Sequence, residues 1–170
     1  YPYVSRILGP AGLGKVSYAQ TLAEYFATFS LLGMPLYAVR EISKSRATPG
    51  QLDKSFSDLI VLSFLLSIGA LVIYAFLPFL FPRLAAEPSL HWIFGLTILL
   101  YWARIEWFYQ GIENYRYITI RNLLFRLVSI GLIFLVIHEK EHYVRYGAIW
   151  MLSSVATSFL NFFYSFRFVS

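Results

Sequence analysis

The sequence predicts an all-α integral membrane protein, a bundle of transmembrane helices, and three observations predict it. Of its 170 residues 58% are hydrophobic and 14% charged, with a mean hydropathy of +0.62, whereas soluble domains carry about a quarter charged residues. The apolar residues come in uninterrupted runs: residues 59–81 and 146–166 hold no charge at all, and runs of this length mark bilayer spans. Period-2 alternation is missing, and only helices or closed barrels satisfy their backbone in lipid, so the spans are helices.

In chain order, residues 1–8 read as the end of a truncated span, stopped by Gly9, Pro10, Gly12 and Gly14. A second span covers 13–39, with Gly33-Met34-Pro35 as an interruption where Pro35 removes a backbone donor and permits a kink. The polar segment REISKSRATPGQLDKS follows it. Further spans are expected over 56–80, 89–111, 118–137 and 144–166, each close to the ~20 residues that cross ~30 Å of hydrocarbon. Residues 1–170 are thus expected to form a single transmembrane domain of five full spans plus the end of one. A chain that opens on Tyr1 rather than Met is read as part of something longer.

The net charge of +5 does not point to nucleic acid, because the basic residues are scattered over short loops between apolar runs. Arg40, Lys44, Arg46, Lys54, Arg116, Arg121 and Arg167 fall on one side; Arg6, Lys15, Arg83, Lys140 and Arg145 fall on the other. The dense cluster after the second span places the 40–54 and 112–117 segments in the cytoplasm. With no cysteine, disulfides and thiolate metal sites are excluded.

Three stretches, SRILGPAGLGKVSYAQTLAEYF, LLGMPLYAVREISKSR and EWFYQGIENYRYITIRN, resemble the Wzx-type O-antigen and polysaccharide flippases, members of the multidrug/oligosaccharidyl-lipid/polysaccharide flippase superfamily. The likeness covers residues 1–126. It implies the first lobe of a two-lobe, alternating-access transporter of about 12 to 14 helices. The implied cargo is an undecaprenyl-diphosphate-linked oligosaccharide repeat unit, moved across the bacterial inner membrane for O-antigen, lipopolysaccharide or other surface polysaccharide synthesis. The implied partners are that lipid-linked oligosaccharide, membrane lipids and the C-terminal lobe of the same protein, with no nucleic acid, cofactor, metal or catalytic residue.

Charges inside spans are costly and usually face a bundle interior, pair, or snorkel. Glu24 lies ~15 Å down the second span and Arg126 is about as deep in the fifth; Arg104 is ~22 Å from the outer end of the fourth. Ser17, Gln20, Glu24 and Thr28 form one polar stripe; Thr119, Asn122, Arg126 and Ser129 form another; Ser153, Thr157, Asn161 and Tyr164 form a third. Such stripes line a polar pathway or glue helices together. Glu24 and Arg126 either pair, or Glu24 titrates as an ion-coupling group and leaves Arg126 to bind anionic cargo.

Arg104 and Glu106, about 200° apart on a helix, do not pair with each other. Arg104 shares a face with Tyr101, and its fork of donors suits a diphosphate at the mouth of a cytoplasm-facing cavity. Glu106 serves the helix end near the interface, where it can reach water or a loop cation. The substrate-binding candidates are therefore Arg104, Arg126, Asn122 and Tyr101, with Glu24 for coupling. Tyr101, Trp102, Trp107 and Tyr109 fit an interfacial belt or a sugar-stacking surface. HEKEH, with His138, Glu139, Glu141 and His142, reads as a solvated turn. LGPAGLG lacks the Lys-Ser/Thr ending of a phosphate loop and reads as a turn with close helix packing. The competing functions are an exporter of peptidoglycan precursor or drugs, and a membrane-embedded glycosyltransferase or ligase, which needs a sizeable catalytic loop.

Overall fold

The computed structural model describes residues 2–31, 33–48 and 50–169; the first residue of the 1–8 span and residue 32 of the 13–39 span lie outside them. Helices α1 (Pro2–Ser30), α2 (Met34–Ser45), α3 (Gln51–Ala75), α4 (Leu77–Leu80), α5 (Pro82–Ala85), α6 (Pro88–Leu99), α7 (Glu106–Gly111), α8 (Tyr115–Val136) and α9 (Tyr143–Ser165) follow one another, with no strand among the described residues. Short 3-10 turns occupy Tyr101–Ala103 and Lys140–His142.

The breaker cluster at 9–14 acts at one residue. Gly9 takes φ 67° and ψ 174°, a conformation that only glycine adopts at no steric cost, and the helix resumes at Pro10, whose missing N–H is no loss in a first turn. At Gly33 the chain bends by 49° and α2 begins, so the expected 13–39 span divides in two. By length and apolarity, Gln51–Leu80 and Tyr115–Val136 qualify as spans, and the bent pair Tyr3–Ser30 with Met34–Ser45 makes a third. This count is lower than the sequence suggested, for two reasons. The fourth expected span is broken at 101–105, leaving a 12-residue apolar helix. α9 is long enough, but its Ser, Thr, Asn and Tyr residues dilute its apolar character.

Two apolar clusters hold the bundle. One packs Ala19, Ala23 and Ala27 of α1 against Tyr74, Phe94 and Ile149 of neighbouring helices, the small stripe allowing close approach without a large side chain between backbones. The other gathers Ile42, Phe56, Ile105 and Phe108 around α2 and α7, and Tyr101 touches both clusters. Large apolar side chains cover the outside, from Leu66 and Ile73 on α3 to Leu127 and Leu135 on α8. An apolar exterior of this extent, on helices long and apolar enough to cross a bilayer, is that of a membrane bundle. The chain is an all-α, multi-pass membrane helix bundle.

Candidate functional site

At the end of the bundle where α2 and α7 meet, the sequence forces close contact. A Cβ on Gly111 would stand 2.7 Å from both Cβ and Cγ2 of Ile42 and 3.2 Å from the Val39 carbonyl. Only glycine lets these backbones approach. The next residues turn sharply: Glu113 has φ 60° and pairs with Arg46 at 3.0 Å, and Asn114 accepts a hydrogen bond from the Tyr117 amide to open α8. The Arg46–Glu113 pair brings the 40–54 and 112–117 segments to the same end of the bundle, as the charge pattern expects.

Inside this end lies a polar hub that the sequence reading missed. Arg121 is buried to 4% exposure. Its Nη2 donates to Glu106 Oε1 at 2.7 Å and to Asn122 Oδ1 at 2.8 Å, and its Nη1 donates to Asn161 Oδ1. The guanidinium also stands over the Tyr117 ring at 5.5 Å. Tyr117 stacks on Tyr164 at 4.1 Å and tilts against Tyr109 at 4.7 Å, and Tyr109 donates its hydroxyl to the Asn161 carbonyl. One cation thus ties α7, α8 and α9 together. Arg121 Nε and Asn161 Nδ2 remain without an acceptor among the described residues.

Several expectations are corrected here. Arg121, counted with the loop cations although the expected 118–137 span already contained it, is no loop cation: it sits in the second turn of α8 and is buried in the bundle. Glu106 does reach a cation, but that cation is Arg121, buried in α8 rather than in a loop. Arg104 and Glu106 are not two faces of one helix, because Arg104 sits on the break with φ −79° and ψ 66° while Glu106 opens α7. Trp107 and Tyr109 are core residues, neither belt nor sugar surface.

Among the candidates, the structure brings Arg104 and Tyr101 together, the guanidinium 5.5 Å from the ring centroid. Arg104 and Arg126 are both exposed on the outside of the bundle, and neither joins an ion pair among the described residues. Asn122 is exposed beside Arg121. Glu24 is exposed too, and accepts from Gln20 Nε2 at 2.9 Å rather than pairing with Arg126.

The three polar stripes therefore divide. Ser17, Glu24 and Thr28 on α1, and Thr119, Asn122 and Arg126 on α8, face outward. The α9 stripe is internal: Ser153 and Thr157 donate to carbonyls four residues back, and Ser153 meets Ser129 of α8 at 2.6 Å.

At the opposite end Lys15 pairs with Glu87 at 2.5 Å, and Tyr143 donates to the same carboxylate at 2.9 Å, joining α1, the 86–87 connection and α9. The Lys15 hydrogen bond, helped by Tyr143 and by the charge of Lys15, holds the Glu87 carboxyl below its ordinary value. Nearby, the HEKEH segment forms a 3-10 turn in which His142 lies 3.4 Å from Glu139 and 2.9 Å from Arg145. No cluster of three or more His, Asp or Glu among the described residues is placed to hold a metal ion.

A multi-helix bundle with an apolar exterior and a polar hub at one end defines a class, that of polytopic membrane proteins. The chain belongs to a particular family within it: residues 1–169 match the model of the polysaccharide biosynthesis protein family. It is 25% identical over 141 residues to an Escherichia coli K12 protein named "Putative O-antigen transporter", an alignment covering 83% of this chain and 34% of that protein. The chain thus spans about a third of the length of this curated relative. No solved structure matches it.

Proposed function

We propose that the protein is a non-enzymatic flippase that moves undecaprenyl-diphosphate-linked oligosaccharide repeat units across the bacterial inner membrane for surface polysaccharide synthesis. Family membership and the named relative support a polysaccharide transport role. The observation that carries the anionic cargo is the contrast between arginines. Arg121 is buried and neutralised by Glu106, whereas Arg104 and Arg126 are exposed on the bundle's apolar surface and take no carboxylate partner among the described residues. A cation held at membrane depth without a partner calls for an anion or a water-filled path, and guanidinium forks onto phosphate oxygens.

In this reading Arg104, oriented over Tyr101, and Arg126 with Asn122 on α8 face a pathway completed by a second lobe, and alternating access moves the cargo. Glu24, with Gln20, is the ion-coupling group. The test replaces Arg104 and Arg126 separately by Ala in the intact protein and measures surface polysaccharide and lipid-linked precursor. Loss of polymer with precursor accumulating, at equal protein level, is the expected result. Unchanged polymer removes that residue from the mechanism.

A further inference from the structure

A groove of about 610 Å³ runs along the outside of the bundle between α8 and α9, within the ~300–1,000 Å³ range of ligand sites. Its lining is graded. The end near the start of α8 carries Asn114 and Arg116, while Ile120 and Leu124 on α8 and Leu160 and Phe163 on α9 form its apolar length. Arg121 also lines it, but that charge is already matched by Glu106. Arg116 is exposed and belongs to none of the ion pairs among the described residues, so it is the groove's uncompensated cation.

From this the geometry points to a seat for one anionic phospholipid, its headgroup at Arg116 and one acyl chain along the α8–α9 groove. The dimensions select a lipid of one leaflet. From Arg116 to Phe125, the last α8 residue of the lining, is nine residues, or ~14 Å at 1.5 Å each, about half of ~30 Å of hydrocarbon. Charge selects the headgroup: a phosphodiester with net negative charge gains from Arg116, while a zwitterionic head brings its own cation to the same place. The polar end also adjoins the Arg46–Glu113 contact, where Arg40, Lys44 and Lys54 gather in sequence, the side on which anionic headgroups are concentrated under the positive-inside pattern. This seat is independent of the cargo assigned above.

The test places a reporter in the groove of the intact protein by Phe163→Trp and reconstitutes it in phosphatidylcholine vesicles. These contain a low, equal fraction of phosphatidylglycerol or phosphatidylethanolamine brominated on the acyl chain. The expected result is quenching of the added tryptophan, relative to the parent protein, several-fold stronger with phosphatidylglycerol. Arg116→Gln reduces that preference about five-fold, the share of one cation at an anionic surface. Equal quenching by both lipids regardless of Arg116 means ordinary bulk lipid and overturns the proposal. Absence of quenching means that protein covers the groove, and displacement by lipid-linked oligosaccharide means that cargo sits there; either also overturns it. If Phe163→Trp fails to assemble, Leu124→Trp reports from the opposite wall.

Discussion

Arg121 and Glu106, fifteen residues apart in sequence, meet at 2.7 Å with the arginine buried and the carboxylate 30% exposed on its side chain. Removing one partner of a buried pair leaves an uncompensated charge, which costs about 3–5 kcal/mol. Glu106→Ala is therefore expected to destabilise the bundle strongly, read as a lower melting temperature of the purified protein and a lower membrane level. Replacing both partners, Arg121→Met with Glu106→Gln, is expected to recover a large part of that loss, because no buried charge remains. A single Glu106→Ala variant as stable as the parent sinks this account.

Gly111 and Ile42 make the second prediction. Gly111→Ala puts a methyl 2.7 Å from two Ile42 carbons, with the Val39 carbonyl closing the other side at 3.2 Å. Neither α2 nor α7 yields cheaply, and overpacking of this kind costs about 1–3 kcal/mol. Ile42→Ala in the same protein removes Cγ2 but keeps Cβ, so the expected rescue is partial. Thermal unfolding of the three variants checks this, and a Gly111→Ala protein with an unchanged melting temperature refutes the close approach.

What was legible in the sequence was set by hydropathy and by glycine and proline. Bare apolar runs gave the all-α membrane class, since the bilayer admits few other structures. Gly9-Pro10 and Gly33 gave the two breaks in the first third of the chain. The break at 101–105 was not legible because YWARI contains neither glycine nor proline; tertiary packing of Ala103 and Ile105 imposes it. Arg121 was misjudged by its charge: it was counted with the loop cations although the expected 118–137 span already contained it. Asn114 is a good helix-capping residue, and reading it as the cap starts α8 at Tyr115 and sets Arg121 nearly a turn deeper in the helix. The outward direction of Glu24, Asn122 and Arg126 was beyond reach, because spacing groups residues on a face but does not say which face the neighbours cover.

At the other end, the Glu87 carboxyl is lowered from its ordinary 4.5 by its hydrogen bond from Lys15 and the further help of Tyr143. A carboxyl whose folded value is depressed stabilises the fold above its unfolded value and loses that contribution as pH falls through the folded one. Stability should thus decline below about pH 4.5 in a component that Glu87→Gln abolishes. Lys15 is half-exposed, so the effect is small, under about 1 kcal/mol. Melting curves of parent and variant between neutral and acid pH test it, and parallel curves through the acid range rule the contribution out.

His91 supplies the last prediction. It is 1% exposed, stacks flat on Tyr74 with ring centroids 4.4 Å apart, and neither ring nitrogen has a hydrogen-bond partner among the described residues. An unsatisfied buried polar group costs about 1–3 kcal/mol, and replacing it by an apolar group of similar shape is neutral or stabilising. His91→Phe keeps the flat ring against Tyr74 and removes both orphaned nitrogens. It is expected to leave the melting temperature unchanged or to raise it, whereas His91→Ala, which empties space between α3 and α6, is expected to lower stability by about 2 kcal/mol or more. A clear destabilisation by His91→Phe would show that the imidazole makes a polar contact which the stacked arrangement does not contain, and would overturn the view of His91 as a packing residue. If His91→Phe melts normally but abolishes polysaccharide export, the ring nitrogens act in transport, and packing alone is not why histidine stands there.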